Sequence, residues 1–123
     1  MYTPEVMERF RKPGNAGRLE KYNGRGKAGD PDCSDVVEVR VVFENGLVRD
    51  AKFLVYGCPG AISTTDAFID LAKGRTIEDA LGISQEDISS LLGGLHMSHM
   101  HCSKLPIQAF RQAVSDYRKK WKG

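Results

Sequence analysis

Long apolar runs, a basic excess, a disulfide framework and internal repeats are all missing from this chain, and each absence narrows what it can be. No stretch approaches the roughly 20 consecutive apolar residues of a membrane-spanning helix, so no membrane partner is expected. Lys plus Arg exceed Asp plus Glu by only 18 to 16. The summed field is therefore weak and leaves no footprint for nucleic acid. Arg118, Lys119, Lys120 and Lys122 read instead as the cationic last turn of a C-terminal helix. Cysteine is scarce: three residues, an odd number, with no C-x-x-C pair. That argues against a closed disulfide framework and for free or metal-bound thiols in a reducing compartment. The segment Met1 to Glu8 carries acids where a signal peptide would carry bases, and no apolar core follows it, so a cytoplasmic location is expected.

What is present suffices for one core. With 123 residues, 41% of them hydrophobic, the expectation is a single domain spanning 1–123. Thr3 and Pro4 open a short helix over Pro4 to Phe10, stopped by Pro13-Gly14-Asn15-Ala16-Gly17. Tyr22 to Asp32, rich in glycine and polar residues, reads as a mobile surface loop ending at Cys33. Val37, Val39, Val41 and Phe43 share one face of a strand, and Ala51, Phe53 and Val55 one face of the next, with Asn45-Gly46 as the hairpin turn between them. Ala61, Thr65, Phe68, Ile69 and Ala72 recur at helical spacing up to Gly74. Thr76 and Ser84 each begin an N-cap sequence, the second closed by Gly93-Gly94. A last helix runs from about Ser103 to Trp121, with Pro106 in its first turn and Ile107, Phe110, Ala113, Val114 and Tyr117 as its apolar stripe. The fold class predicted is α+β: a small antiparallel β-sheet covered on one face by helices, with a long C-terminal helix.

The cysteines fall at three junctions: Cys33 after the glycine-rich segment, Cys58 between a strand end and a helix start, Cys102 before the last helix. Free cysteine is ordinarily a small buried hydrophobe, a reading less attractive for three residues at element boundaries than for one in a core. Helix N-termini favour thiolate over thiol, and thiolate is the form that binds metal. Iron-sulfur clusters and tetrahedral zinc both take such sulfur-rich donor sets. Three thiolates leave a fourth position, for which Asp35, two residues after Cys33, and His101, next to Cys102, are the natural donors. Their plain readings are a solvated strand start and a loop imidazole satisfied by ordinary hydrogen bonds. The tract His96-Met97-Ser98-His99-Met100-His101-Cys102 could attract soft or borderline metals by itself.

These residues resemble the IscU/NifU-type iron-sulfur cluster assembly scaffolds over nearly the whole chain. Tyr2, Val6, Phe10, Pro13, Asn15 and Gly17 match the family's N-terminal pattern, Cys33-Ser34-Asp35-Val36 its Cys-Gly-Asp-Val, Tyr56-Gly57-Cys58 its Tyr-Gly-Cys, and His101-Cys102-Ser103 its His-Cys-Ser. The resemblance implies a NifU-like N-terminal scaffold domain, a carrier and not an enzyme. A cluster, [2Fe-2S] first of all, would be held by Cys33, Cys58 and Cys102, with Asp35 or His101 as fourth ligand. It further implies sulfur delivered as persulfide by a cysteine desulfurase to Cys33 or Cys102, and transfer of the cluster to acceptor apoproteins such as ferredoxin. In this family the aspartate is tied to cluster lability, in keeping with the harder oxygen donor. Oligomeric state stays open, a homo-oligomer included. Two departures stand out. Ser34 replaces a glycine, and Leu92 to Met100 replaces the Leu-Pro-Pro-Val-Lys segment that an Hsp70-type chaperone reads in many members, which weighs against chaperone-assisted release.

Three other functions use the same residues. A stable zinc protein, structural or sulfur-accepting, would hold zinc through the same cysteines with Asp35 or His101. The zinc-binding sulfur-acceptor branch of the family carries an insertion between the second and third cysteines for which the segment from Gly74 to His101 has no room. A copper or nickel delivery protein would use His96, Met97, His99, Met100 and Cys102, and would keep binding without Cys33 and Cys58. A cysteine nucleophile with His101 as base is disfavoured, because adjacent residues rarely face each other and no oxyanion motif accompanies them.

Overall fold

The computed structural model describes residues 2–30, 35–95 and 97–120, the side chains of 30 and 97–99 excepted. The readings made for Cys33, Ser34, His96 and Trp121, and for the side chains of Met97 and His99, lie outside the described residues. Within them the chain runs α1 (Pro4–Arg11), β1 (Gly24–Asp30), β2 (Asp35–Glu44), β3 (Leu47–Tyr56), α2 (Pro59–Ala72), α3 (Ile77–Leu81), α4 (Gln85–Leu91), a 3-10 segment (Met97–Ser103) and α5 (Lys104–Lys120). The strands form one antiparallel sheet in the order β1-β2-β3, and the helices pack on one face of it, the α+β arrangement read from the sequence. Among the described residues no helix is long and apolar enough to cross a membrane.

Local chemistry accounts for most boundaries. Asn45 and Gly46 take φ of 54° and 75°, the pair of left-handed residues that a two-residue hairpin needs to match strand twist. Thr3, Thr76 and Ser84 accept from the amides of Val6, Asp79 and Asp87 and so cap α1, α3 and α4. Ser84 and Asp87 bond each other's amides reciprocally. Thr3 Oγ1 also donates to the Leu92 carbonyl at 2.7 Å, tying the start of α1 to the end of α4. On β2 and β3 the alternation holds: Val37, Val39, Val41, Ala51 and Phe53 are buried. A bulge shifts the register between Val42 and Phe43, so Val42 faces Asp50 whereas Phe43 faces Val48. Because of that extra residue Val48 is buried alongside odd-numbered Ala51, which strict alternation does not anticipate.

The Tyr22 to Asp32 segment is not a loop over most of its length. Residues Gly24–Asp30 form β1, paired antiparallel to β2 from Gly24↔Val41 to Asp30↔Asp35. Glycine is required there by close packing. A Cβ on Gly26 would collide with the Ala109 carbonyl oxygen and lie 2.6 Å from the Ala113 nitrogen, and one on Gly24 would lie 2.7 Å from the Ala113 oxygen. The backbone of α5 therefore rests directly on β1. The outer edge of that strand is satisfied by the same helix: the amides of Arg25 and Lys27 donate to Asp116 Oδ2 (3.0 Å) and Gln112 Oε1 (2.7 Å). Beneath α5, Phe110 packs against Phe43 and Phe68, with ring centroids 6.0 and 5.3 Å apart.

A polar anchor fixes α1 and the segment after it to α2. Asp66, 2% exposed, accepts from the Asn15 amide (2.8 Å) and Arg9 (2.8 Å), while the Asn15 side chain reaches Asp70 (2.9 Å) and receives Lys73 (2.8 Å). Burial alone would raise the Asp70 carboxyl, but hydrogen bonds from Asn15 and Arg9 outweigh it and hold that group below its ordinary value. The Asn15 backbone carbonyl accepts from the Phe53 amide, and the Gly17 amide donates to the Phe53 carbonyl, so the outer edge of β3 is paired there too.

Two expectations follow. Gly26→Ala forces α5 off the sheet and lowers unfolding free energy by on the order of 3 kcal/mol, measured by urea titration. For Asp70 the folded value lies below the unfolded one, so its contribution is present above the unfolded carboxylate range and is lost as pH falls through it. Asp70→Asn should therefore show a shallower fall of Tm between about pH 5 and about pH 3 than the parent chain.

Candidate metal centre

Three donor side chains from distant parts of the sequence meet at one end of the sheet. Asp35 opens β2, Cys58 is the residue before α2, and Cys102 lies in the 3-10 segment leading into α5. One ligand atom from each lies within 4.8 Å of the other two. Cys58 Sγ is 3.8 Å from Cys102 Sγ and 3.6 Å from Asp35 Oδ2, and the Cys58 amide donates to Asp35 Oδ1 at 3.2 Å. Asp35 is 3% exposed and Cys102 fully buried, whereas Cys58 is half-buried.

The backbone explains why these groups converge. Cys58 occupies the N-cap of α2 in an extended conformation, φ −76° and ψ 168°, and its thiol makes no capping bond. Its carbonyl instead accepts from Ala61 and Ile62, and Pro59 at the first helical position lacks the amide that would need a partner. The sulfur is left facing Asp35. Glycines on both sides of Cys58-Pro59 permit the approach. A Cβ on Gly57 would lie 2.5 Å from Asp35 Oδ1, and one on Gly60 would lie 3.2 Å from Cys102 Sγ. Cys102 lies just before α5, as read from the sequence, but within a 3-10 segment, Met97–Ser103, that leads directly into the helix at Lys104.

Two further side chains border the cluster. His101 Nε2 lies 3.5 Å from Cys102 Sγ. Tyr2 hydrogen bonds to Cys58, and burial, then the charge of Cys58 and that hydrogen bond, then the charge of Cys102, push its phenol up, the Gly60 amide acting in the opposite sense. The phenol therefore stays a hydrogen-bond donor at neutral pH. The structure thus brings together Asp35, Cys58 and Cys102, with His101 at the margin; Cys33 and His96 are outside the described residues. Sequence reasoning missed the contact of Tyr2 and the roles of Gly57 and Gly60. The glycines bracketing Cys58 were a signal for close approach.

The donor set suits a metal ion. Among the described residues Asp35 has no cationic partner in any ion pair. A buried carboxylate beside two thiols is costly if more than one ionises, and a cation among them offsets that cost. Two sulfurs and one oxygen with these separations fit tetrahedral coordination of zinc or of a cluster iron, with a fourth position to fill.

Comparison with known proteins places this geometry in context. The sequence matches the NifU-like N terminal domain over residues 1–123. It is 38% identical over 120 residues to iron-sulfur cluster assembly scaffold protein IscU 1 of Archaeoglobus fulgidus, covering 98% of this chain and 78% of that protein. It is 35% identical over 123 residues to the scaffold protein IscU of Haemophilus influenzae, covering 97% of each. In structure it is similar to a putative iron-sulfur cluster assembly scaffold protein for the SUF system from Fervidobacterium islandicum, with a TM-score of 0.78 at 18% identity over 92% of this chain and 96% of that one. At that identity the structural likeness speaks for the fold.

Gly57→Ala should push the Asp35 carboxylate away from the Cys58 amide. Cobalt(II) titration of the variant is expected to show affinity lower by about tenfold or more, with thiolate-to-cobalt bands retained because both sulfurs remain.

Proposed function

Because this chain belongs to the NifU-like N terminal domain family, we propose that it acts, as one domain, as a scaffold on which an iron-sulfur cluster is assembled and then passed on. The observation that carries the reading is the convergence of Asp35, Cys58 and Cys102 within 4.8 Å at three element junctions. Relatives of this chain bear the name of iron-sulfur cluster assembly scaffold proteins, which supports reading this chain as a carrier.

Cys33, Cys58 and Cys102 supply the thiolates. Cys33 stands two residues before Asp35 in the sequence and is the third thiolate of the proposed set. Asp35 is the fourth ligand that the distances favour, since its carboxylate already touches Cys58; His101, against Cys102, is the alternative. A cluster of [2Fe-2S] type suits four protein donors of this kind. Zinc fits the same donors, so an isolated preparation can carry it.

Sulfur arrives as the persulfide of a cysteine desulfurase. A scaffold thiolate attacks the outer sulfur, the desulfurase S–S bond breaks, and the desulfurase cysteine leaves as thiolate. Cys33 and Cys102 are the two acceptors; full burial of Cys102 favours Cys33 as the first. The finished cluster leaves for an acceptor apoprotein such as a ferredoxin. The oxygen donor of Asp35 is the weak point from which it leaves, being harder than thiolate.

The test is anaerobic reconstitution with ferrous iron, cysteine and a cysteine desulfurase, followed by visible absorption and by transfer to apo-ferredoxin. The parent chain should develop charge-transfer bands that vanish as the ferredoxin gains its cluster, and Cys33→Ala, Cys58→Ala and Cys102→Ala should each lose them. Asp35→Ala should keep the bands and slow transfer by about tenfold. A colourless chain retaining one zinc and forming no transferable cluster would replace this reading with a zinc protein.

A further inference from the structure

We infer that α4 clamps the segment carrying Cys102, through Gln85 and Ser89, and that these two are positioning residues for that thiol. The inference rests on Cys102 being a metal ligand, as proposed above. Gln85 and Ser89 stand four apart on α4 and so share one face. Ser89 Oγ accepts from the Leu95 amide at 2.8 Å, where the segment begins. Gln85 Nε2 donates to the Met100 carbonyl at 3.0 Å and to Ser103 Oγ at 2.9 Å, where it ends. Ser103, itself fully buried, donates to the same Met100 carbonyl at 2.6 Å. One helix face thus grips both ends of the stretch from Leu95 to Ser103, and Cys102 lies inside the closed end.

The grip has a fixed base. Ile88, between the two clamping residues, and Leu92, just past the helix, are fully buried in the core, and the reciprocal Ser84–Asp87 bonds hold the first turn of α4. Among the described residues the side-chain hydrogen bonds of Gln85 and Ser89 go to Leu95, Met100 and Ser103 and not to Cys58 or Asp35, so their influence on the centre runs through the backbone of the 3-10 segment. Releasing Gln85 removes a side-chain donor from the Met100 carbonyl and frees Cys102 to move relative to Cys58, 3.8 Å away. A thiol that must approach a fixed partner to share a metal loses affinity when its segment wanders, because ordering it then costs conformational entropy.

The experiment uses the full metal-free chain and compares it with Gln85→Met, which keeps the length and loses both donors, with Ser89→Ala, and with Gln85→Lys, whose ammonium reaches the same two acceptors. Iodoacetamide labelling of Cys102 and Cys58 is followed site by site by mass spectrometry, and cobalt(II) is titrated in parallel. The expected result for Gln85→Met is a rise of about tenfold in the Cys102 rate relative to Cys58, and cobalt affinity lower by a similar factor with weaker thiolate bands per bound ion. Ser89→Ala should move both in the same direction by less, and Gln85→Lys should return them towards the parent values. An unchanged Cys102 to Cys58 ratio in Gln85→Met overturns the inference, and so does equal acceleration of both thiols with a fall in Tm, which would mark general loosening. If the parent chain itself shows no cobalt bands that depend on Cys58 and Cys102, the metal-centre reading fails, while the labelling ratio still decides whether α4 clamps the segment.

Discussion

At Gly24 and Gly26 the sheet presents bare backbone, and α5 lies against it where any side chain would hold it away. That approach sets the depth at which Leu105, Ala109, Phe110 and Ala113 enter the core, and it lets Asp116 and Gln112 close the open edge of β1. It also fixes the helix whose leading segment carries Cys102. A change of an ångström or two in the seat of α5 would be carried to the sulfur, since close-packed interiors transmit displacement and do not absorb it. The distance between Cys58 and Cys102 is in this sense set at the far side of the sheet.

The metal centre itself is built from ends. A strand start supplies Asp35, a helix cap supplies Cys58, a 3-10 segment supplies Cys102. Such junctions bring backbone amides and short side chains together without breaking the ladder or the helix, and here the extended cap conformation turns the sulfur of Cys58 away from the helix and onto Asp35. Gly57 and Gly60 remove the bulk that would keep the three donors apart. Burial of Asp35 and Cys102 then makes the cluster electrostatically demanding unless a cation shares it, which is the physical link between this geometry and a metal-handling role.

Much of this was legible in the residues. The Asn45-Gly46 turn, the caps at Thr3, Thr76 and Ser84, and the alternation along β2 each depend on neighbours within a few positions, and each appears where local chemistry puts it. Cys58 and Cys102 were singled out because of their place at element boundaries and Asp35 because it follows Cys33 by two residues, and the three meet. What local reading could not supply was tertiary. β1 has a composition that normally marks a loop, and it is a strand only because α5 and β2 flank it and demand glycine. The bulge that buries Val48, the 3-10 segment ahead of α5 and the contact of Tyr2 with Cys58 likewise depend on residues tens of positions away.

The contact of Tyr2 has a practical side. The chain enters the fold beside Cys58, while α5 runs alongside β1 from Gln112 near Lys27 to Asp116 near Arg25 and so leaves towards the start of that strand, away from Asp35. Any polypeptide joined ahead of Tyr2 therefore emerges next to the sulfurs. An affinity handle of histidines placed there would set imidazoles in competition with the chain's own ligands, whereas the same handle joined after α5 would trail from the opposite pole. The placement of a purification tag thus decides whether metal measured in a preparation belongs to the protein or to its handle.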